Sequence, residues 1–146
     1  MEIVNKGSIK QEYDFELSQP GMKENAIATH KKSGKKYFLK IIITKFMKEQ
    51  LIQSTYARTL LIGKIKHETV ARLHEIFEDS QNGLLYLVFE YLGGDDLFSI
   101  VKKDYGRDLP FLEKRASAII YNIARGVNHL HSRGIIHSNL SVRLKK

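Results

Sequence analysis

Leu85-Tyr86-Leu87-Val88-Phe89-Glu90-Tyr91-Leu92-Gly93-Gly94 is an apolar, aromatic-rich run that stops at paired glycines. Residues of this kind suit a buried pleated strand, and the glycines break it. Just upstream, Asp79-Ser80-Gln81-Asn82-Gly83 is built from turn formers, so strands over 71–77 and 84–91 are expected to be joined there. Further back, residues 24–30 and 36–43 form a second candidate pair across Ser33-Gly34, where glycine supplies the positive φ of a tight hairpin. The stretch from Phe38 to Ile43 is apolar and β-branched, which predicts a strand buried on both faces. Tyr13, Phe15 and Leu17 alternate with Asp14 and Glu16, the period-two mark of a half-buried strand.

The pattern changes between and after these strands. Over residues 46–65, Met47, Leu51, Leu60, Leu61 and Ile65 recur at loose three-and-four spacing, which predicts a helix. A short helix is expected near 95–103. The last element is the clearest: Ala116, Ile119, Ile120, Ile123, Val127 and Leu130 keep helical spacing, opened by Pro110 and closed by Gly134. Strands, one helix, more strands and then helices give an α+β class, with an antiparallel sheet backed by a helix and followed by a helical part.

Composition narrows the function classes. At 146 residues the chain is long enough for one domain with a real core and too short for two comfortable ones. The net charge of +8 invites a nucleic-acid or anionic-lipid reading. The lysines, however, fall in pairs (Lys31-Lys32, Lys35-Lys36, Lys102-Lys103, Lys145-Lys146) without interleaved aromatics. No block of five or six like charges forms, so a solvated surface is expected rather than a nucleic-acid partner. No run of 18 apolar residues is present, so no membrane partner is expected. Without cysteine there is no disulfide framework and no thiolate metal site, and an intracellular location, cytoplasmic or nuclear, is the expectation. No metal ligand set is expected.

Four stretches together resemble a protein kinase, most similar to the serine/threonine type. Tyr37-Phe38-Leu39-Lys40 stands where that family has V-A-I-K, with Gly34 at the family distance before it. His67-Glu68-Thr69-Val70-Ala71-Arg72-Leu73 resembles the family's H-P-N-I-V-x-L stretch. Residues 85–94 look like the strand leading to the gatekeeper and hinge, and Leu130-His131-Ser132-Arg133-Gly134-Ile135-Ile136-His137 is similar to the approach to H-R-D. The resemblance implies a five-stranded antiparallel sheet with one backing helix as the N-lobe, followed by the first two helices of an incomplete C-lobe. The implied divisions are an N-terminal extension over 1–11, an N-lobe over 12–92, and a hinge-distal part with the catalytic-loop remnant over 93–146.

Function lives in the site rather than the fold, and phosphoryl transfer depends on positioning and charge. The resemblance places Lys40, Glu90 and Leu92 at nucleotide-binding positions. The other parts depart from the family. Counting back from Lys40, the three glycines of the phosphate loop are replaced by Ser18, Pro20 and Lys23, the following valine by Asn25, and only Gly21 lies nearby. Pro20 removes a backbone donor. The glutamate that would hold Lys40 is replaced by Arg58, a like charge where the family needs attraction. Phe38 replaces a small alanine and Phe89 occupies the gatekeeper position, so both are expected to fill the purine space. The catalytic loop reads His137-Ser138-Asn139-Leu140-Ser141-Val142-Arg143-Leu144. Asn139 stands for the aspartate that accepts the hydroxyl proton, Ser141 for the phosphate-steadying lysine, and Leu144 for the metal-binding asparagine; only His137 is retained. A carboxamide cannot take up a proton near pH 7.

These departures predict a catalytically inactive pseudokinase with no cofactor, ATP and magnesium binding at most weakly. The sequence ends at Lys146, ahead of the family's second metal-binding motif and activation segment, so a truncated domain is expected. The Ile119, Ile123 and Val127 face is then expected to be bare and to need a partner: another kinase, a kinase substrate, or a second copy. The alternatives are a fragment of a longer ATP-binding serine/threonine kinase, and a basic module for nucleic acid or phosphoproteins.

Overall fold

The computed structural model describes residues 4–5, 7–16, 25–105 and 113–141. They divide into two compact units, one of residues 1–66 with 71–92 and one of residues 67–70 with 93–146.

The first unit is a sheet with one long helix. Its elements are β1 (Val4–Asn5), α1 (Ile9–Glu12), β2 (Tyr13–Phe15), β3 (Asn25–His30), β4 (Lys36–Ile43), α2 (Glu49–Gly63), β5 (Leu73–Asp79) and β6 (Leu84–Glu90). The strand order is β1-β5-β6-β4-β3-β2. The five longer strands pair antiparallel throughout, as the sequence predicts, and β1 adds a two-residue parallel edge along β5. Both expected hairpins form, with Gly34 at φ 67° and Gly83 at φ 63° in their turns. Gly83 is also sterically required, because a Cβ there would lie 2.7 Å from Lys45 Cβ.

One expectation about β4 fails. Leu39 and Ile41 are buried, Phe38 and Ile42 are half-buried, and Lys40 and Ile43 are exposed, so the strand alternates instead of being buried on both faces. The face carrying Tyr37, Leu39 and Ile41 is covered in part by Ile9, which lies in the stretch read in the sequence only as an extension, and in part by the expected strand residue Tyr13. Ile9 of α1 and Tyr13 of β2 pack there with Ala28, Phe77, Tyr86 and Val88. Phe77, Leu39 and Val88 lose all or nearly all contact with water, each worth about 1.5–3 kcal/mol of burial. The opposite face is covered in part by α2, whose Tyr56, Leu60 and Ile62 pack on the cluster of Leu73, Ile76, Leu85 and Leu87. That helix is shorter at its start than the apolar spacing predicted, because Phe46, 87% exposed, and Met47 lie in the turn before it.

The second unit comprises α3 (Leu97–Tyr105), α4 (Glu113–His131) and the short segment His67–Val70. Asp96 Oδ1 accepts the Ser99 N–H at 2.7 Å, capping the first turn of α3. Gly134, at φ 71°, closes α4: its N–H donates to the His131 carbonyl and that of Ile135 to the Leu130 carbonyl, the pattern of a glycine stop. The expected opener, Pro110, lies outside the described residues, as do Leu17 and Glu24. On α4, Leu130 and Gly126 are buried, Ile119 and Val127 are half-buried, and Ile120, Tyr121 and Ile123 are exposed by 61%, 64% and 41%.

Candidate functional site

Strand alternation decides which side chains share a face, and antiparallel register decides which stand opposite one another. In β4, Phe38, Lys40 and Ile42 point to the α2 side. Lys40 is directly opposite Asn25 of β3 and Leu87 of β6; Phe38 is directly opposite Ile27 and Phe89. The sheet thus carries two adjacent rows on one face, Asn25-Lys40-Leu87-Ile76 and Ile27-Phe38-Phe89-Leu73. The first row carries the exposed ammonium of Lys40 between Asn25 and Leu87. The second is apolar along its whole width.

Lys40 has the exposure needed to meet an anion. Among the described residues neither it nor Arg58 makes an ion pair, and Arg58 is exposed on α2 beside Thr59, which is buried and tied back to the Thr55 carbonyl at 2.8 Å. The structure therefore brings Lys40, Phe38, Phe89 and Asn25 onto one face and, among the described residues, gives Lys40 no acidic partner. The positions of Ser18, Pro20, Gly21 and Lys23 lie outside the described residues.

Glu90 and Leu92 stand at the end of β6. The Glu90 N–H donates to the Arg72 carbonyl at 2.9 Å, and Glu90 Oε1 accepts the Arg72 N–H at 2.8 Å. The carboxylate is thus engaged with backbone, which fastens the end of β6 to the start of β5. Leu92 lies beyond the strand and is 66% exposed. The pairing of Glu90 with Arg72 was not legible from spacing, since the two residues are eighteen positions apart.

The residues expected to form a catalytic loop belong to the second unit. His137, Asn139 and Ser141 are exposed, and His137 Nδ1 accepts the Asn139 N–H at 3.3 Å. Between them Ser138 adopts φ 59°, a left-handed conformation that costs an L residue about 1–2 kcal/mol. Residues held in this way cluster in functional loops. The side chain of Asn139 offers an amide, a donor and an acceptor, but no proton-accepting group near neutrality. Leu144 lies outside the described residues.

Two polar constellations were missed by the sequence reading. Tyr13 Oη donates to Glu75 Oε2 at 2.9 Å, with the rings of His30, Tyr37 and Phe77 edge-on at 5.1, 5.6 and 5.9 Å. Burial first, then the bond to Glu75, pushes the Tyr13 phenol well above its ordinary 10. The second is the stacking of His67 on His129, with ring centroids 4.5 Å apart. The spacing of Tyr13 within an alternating strand marked it as core, but only the register of distant strands could supply Glu75.

An antiparallel five-stranded sheet backed by a helix, followed by a helical unit that leads into a His-x-Asn loop, defines a kinase-type domain. Residues 24–142 match the protein kinase domain family, and the chain belongs to it. It is similar to a probable myosin light chain kinase of Dictyostelium discoideum, 33% identical over 140 residues that cover 94% of this chain and 38% of that protein. It is also similar to the calcium/calmodulin-dependent protein kinase type II subunit delta of Oryctolagus cuniculus, 35% identical over 109 residues that cover 74% of this chain and 19% of that protein. The chain thus spans well under half the length of either relative. Among the described residues no helix is long and apolar enough to cross a membrane, and no group of three or more His, Cys, Asp or Glu side chains is placed to hold a metal ion.

Proposed function

We propose that this kinase-family chain is a pseudokinase that transfers no phosphate and acts by contacting other proteins. Asn139 carries the reading. It occupies the position at which the family accepts the substrate hydroxyl proton, and general-base help of that kind is worth about 10²- to 10⁴-fold in rate. Ser141 and Leu144 remove the neighbouring charge and the metal ligand expected in the same loop.

The face around Lys40 supports the same conclusion. Phe38 and Phe89, opposite one another, place aromatic side chains where a purine needs space, and the residues present do not fit a tightly held nucleotide. Exposed Lys40 can meet a phosphate by charge alone, so ATP with magnesium binds weakly at most. The exposed Ile120, Tyr121 and Ile123 of α4 favour a protein partner, whether another kinase, a kinase substrate or a second copy, in the cytoplasm or nucleus.

The test is incubation of the purified chain with γ-labelled ATP, magnesium and a mixed protein acceptor. No label above the level of a heat-denatured control is expected. Label transfer that is abolished by Lys40→Ala would overturn the proposal.

A further inference from the structure

The segment His67–Val70 is fastened to α4 through histidine. Gly126 lets it approach: a Cβ at that position would stand 2.8 Å from Thr69 Oγ1 and 3.1 Å from the Thr69 carbonyl. Beside this contact the ring of His67 stacks on that of His129. His67 Nδ1 accepts the Thr69 N–H at 3.2 Å, with Thr69 Oγ1 at 3.1 Å. Arg125 of α4 pairs with Glu68, the acid next to His67.

The bonds around His129 fix its protonation. Nη1 of Arg133 lies 3.2 Å from His129 Nδ1, 3.2 Å from the His129 carbonyl and 3.3 Å from Ser132 Oγ; a guanidinium can only donate, so in its contact with Arg133 Nδ1 is an acceptor. The ring hydrogen therefore sits on Nε2, which is buried without a partner. The only nitrogen left to take a proton is the one already facing a fixed cation.

We propose that His129 is a proton-sensitive latch, holding the His67–Val70 segment against α4 when neutral and releasing it when Nδ1 takes up a proton. The protonated ring would point an N–H at the Arg133 guanidinium, carry its charge into the stack with His67, and keep an unsatisfied N–H at Nε2. Glu68, the one acid in the constellation, is already paired with Arg125. Burial first, then Arg133 and His67, hold the His129 imidazole below its ordinary 6.5. A detached His129 thus takes up its proton first as pH falls through 6.5. The latch is at full strength above that value and weakens below it.

The experiment is amide hydrogen exchange at Thr69, whose N–H is bonded within the latch, between pH 7 and pH 5, in the full chain and in His129→Phe. After correction for intrinsic exchange, protection in the parent is expected to fall by a larger factor than in the variant, because only the parent carries the depressed His129 imidazole. Equal losses in the two proteins would overturn the proposal. Should His129→Phe fail to fold, titration of the His129 ring by nuclear magnetic resonance in the parent decides. A midpoint below 6.5 supports the latch, and one at or above 6.5 overturns it.

Discussion

Phe38 of β4 and Phe89 of β6 are directly opposed across the sheet, on the same face as Lys40 and one row away from it. In a kinase-type site this face must offer both an anion contact and a flat cavity. Here the lysine is available, and the neighbouring row is filled by two rings and Ile27.

Removing one ring separates the two properties. Phe38→Ala is expected to lower stability by about 1.5–2.5 kcal/mol, half the penalty for a fully buried ring, because Phe38 is half-buried. The same variant is expected to show a larger rise in Tm with ATP and magnesium than the parent does. Thermal unfolding with and without nucleotide checks both. An unchanged nucleotide response would show that Phe38 does not limit access.

Restoring the missing carboxylate is expected to be insufficient. Asn139→Asp supplies a proton acceptor, yet on the proposed reading Ser141 and Leu144 replace a cation and a metal ligand of the same loop. Transfer of γ-labelled phosphate by the variant is expected to stay at background. Transfer raised 10²-fold or more, the lower end of general-base help, would mean that the carboxylate alone was lacking.

The bond from Tyr13 to Glu75 fastens the N-terminal segment to the sheet. Tyr13→Phe leaves the half-buried carboxylate without this donor, an expected loss of about 1.5–3 kcal/mol at pH 7. The pH dependence has a definite sign. Below pH 10 the phenol is protonated in both states and its contribution is complete; above 10 the unfolded chain ionises first and stability falls. Urea midpoints between pH 9 and pH 11 are expected to fall less steeply in Tyr13→Phe, with the raised phenols of Tyr56 and Tyr86 accounting for the decline that remains.

Gly126 is a helix-interior glycine, where alanine is intrinsically better by about 1 kcal/mol. Contact with Thr69 reverses the preference, because the added methyl would press on Oγ1 and on backbone. Gly126→Ala is expected to destabilise by about 1–3 kcal/mol, as overpacking does, measured by chemical denaturation. A stabilised variant would mean that the His67–Val70 segment can retreat freely.

The periodicities that carry the fold were legible because they are local. The apolar run of residues 84–90, the turn residues 79–83 and the helical spacing of 116–130 are properties of neighbouring residues, whatever they pack against. Four family-like stretches in order identified the class for the same reason, and Asn139, Ser141 and Phe38 stood out by chemical type at a given position. Burial was less legible. The stretch 38–43 looks uniformly apolar, yet Lys40 interrupts it and the two faces have different covers. One of those covers is Ile9, from a segment with no periodicity to announce it.

The sequence by itself determined the family, the element order and the chemical groups at each working position, since side-chain identity and local spacing travel with the chain. Only the tertiary structure decided that Phe38 faces Phe89, that Tyr13 reaches Glu75 and that His67 stacks on His129. The latter two pairs each bridge 62 residues. Such partners are chosen by strand register and by the close approach permitted at Gly126, and neither is written in the residues that flank them.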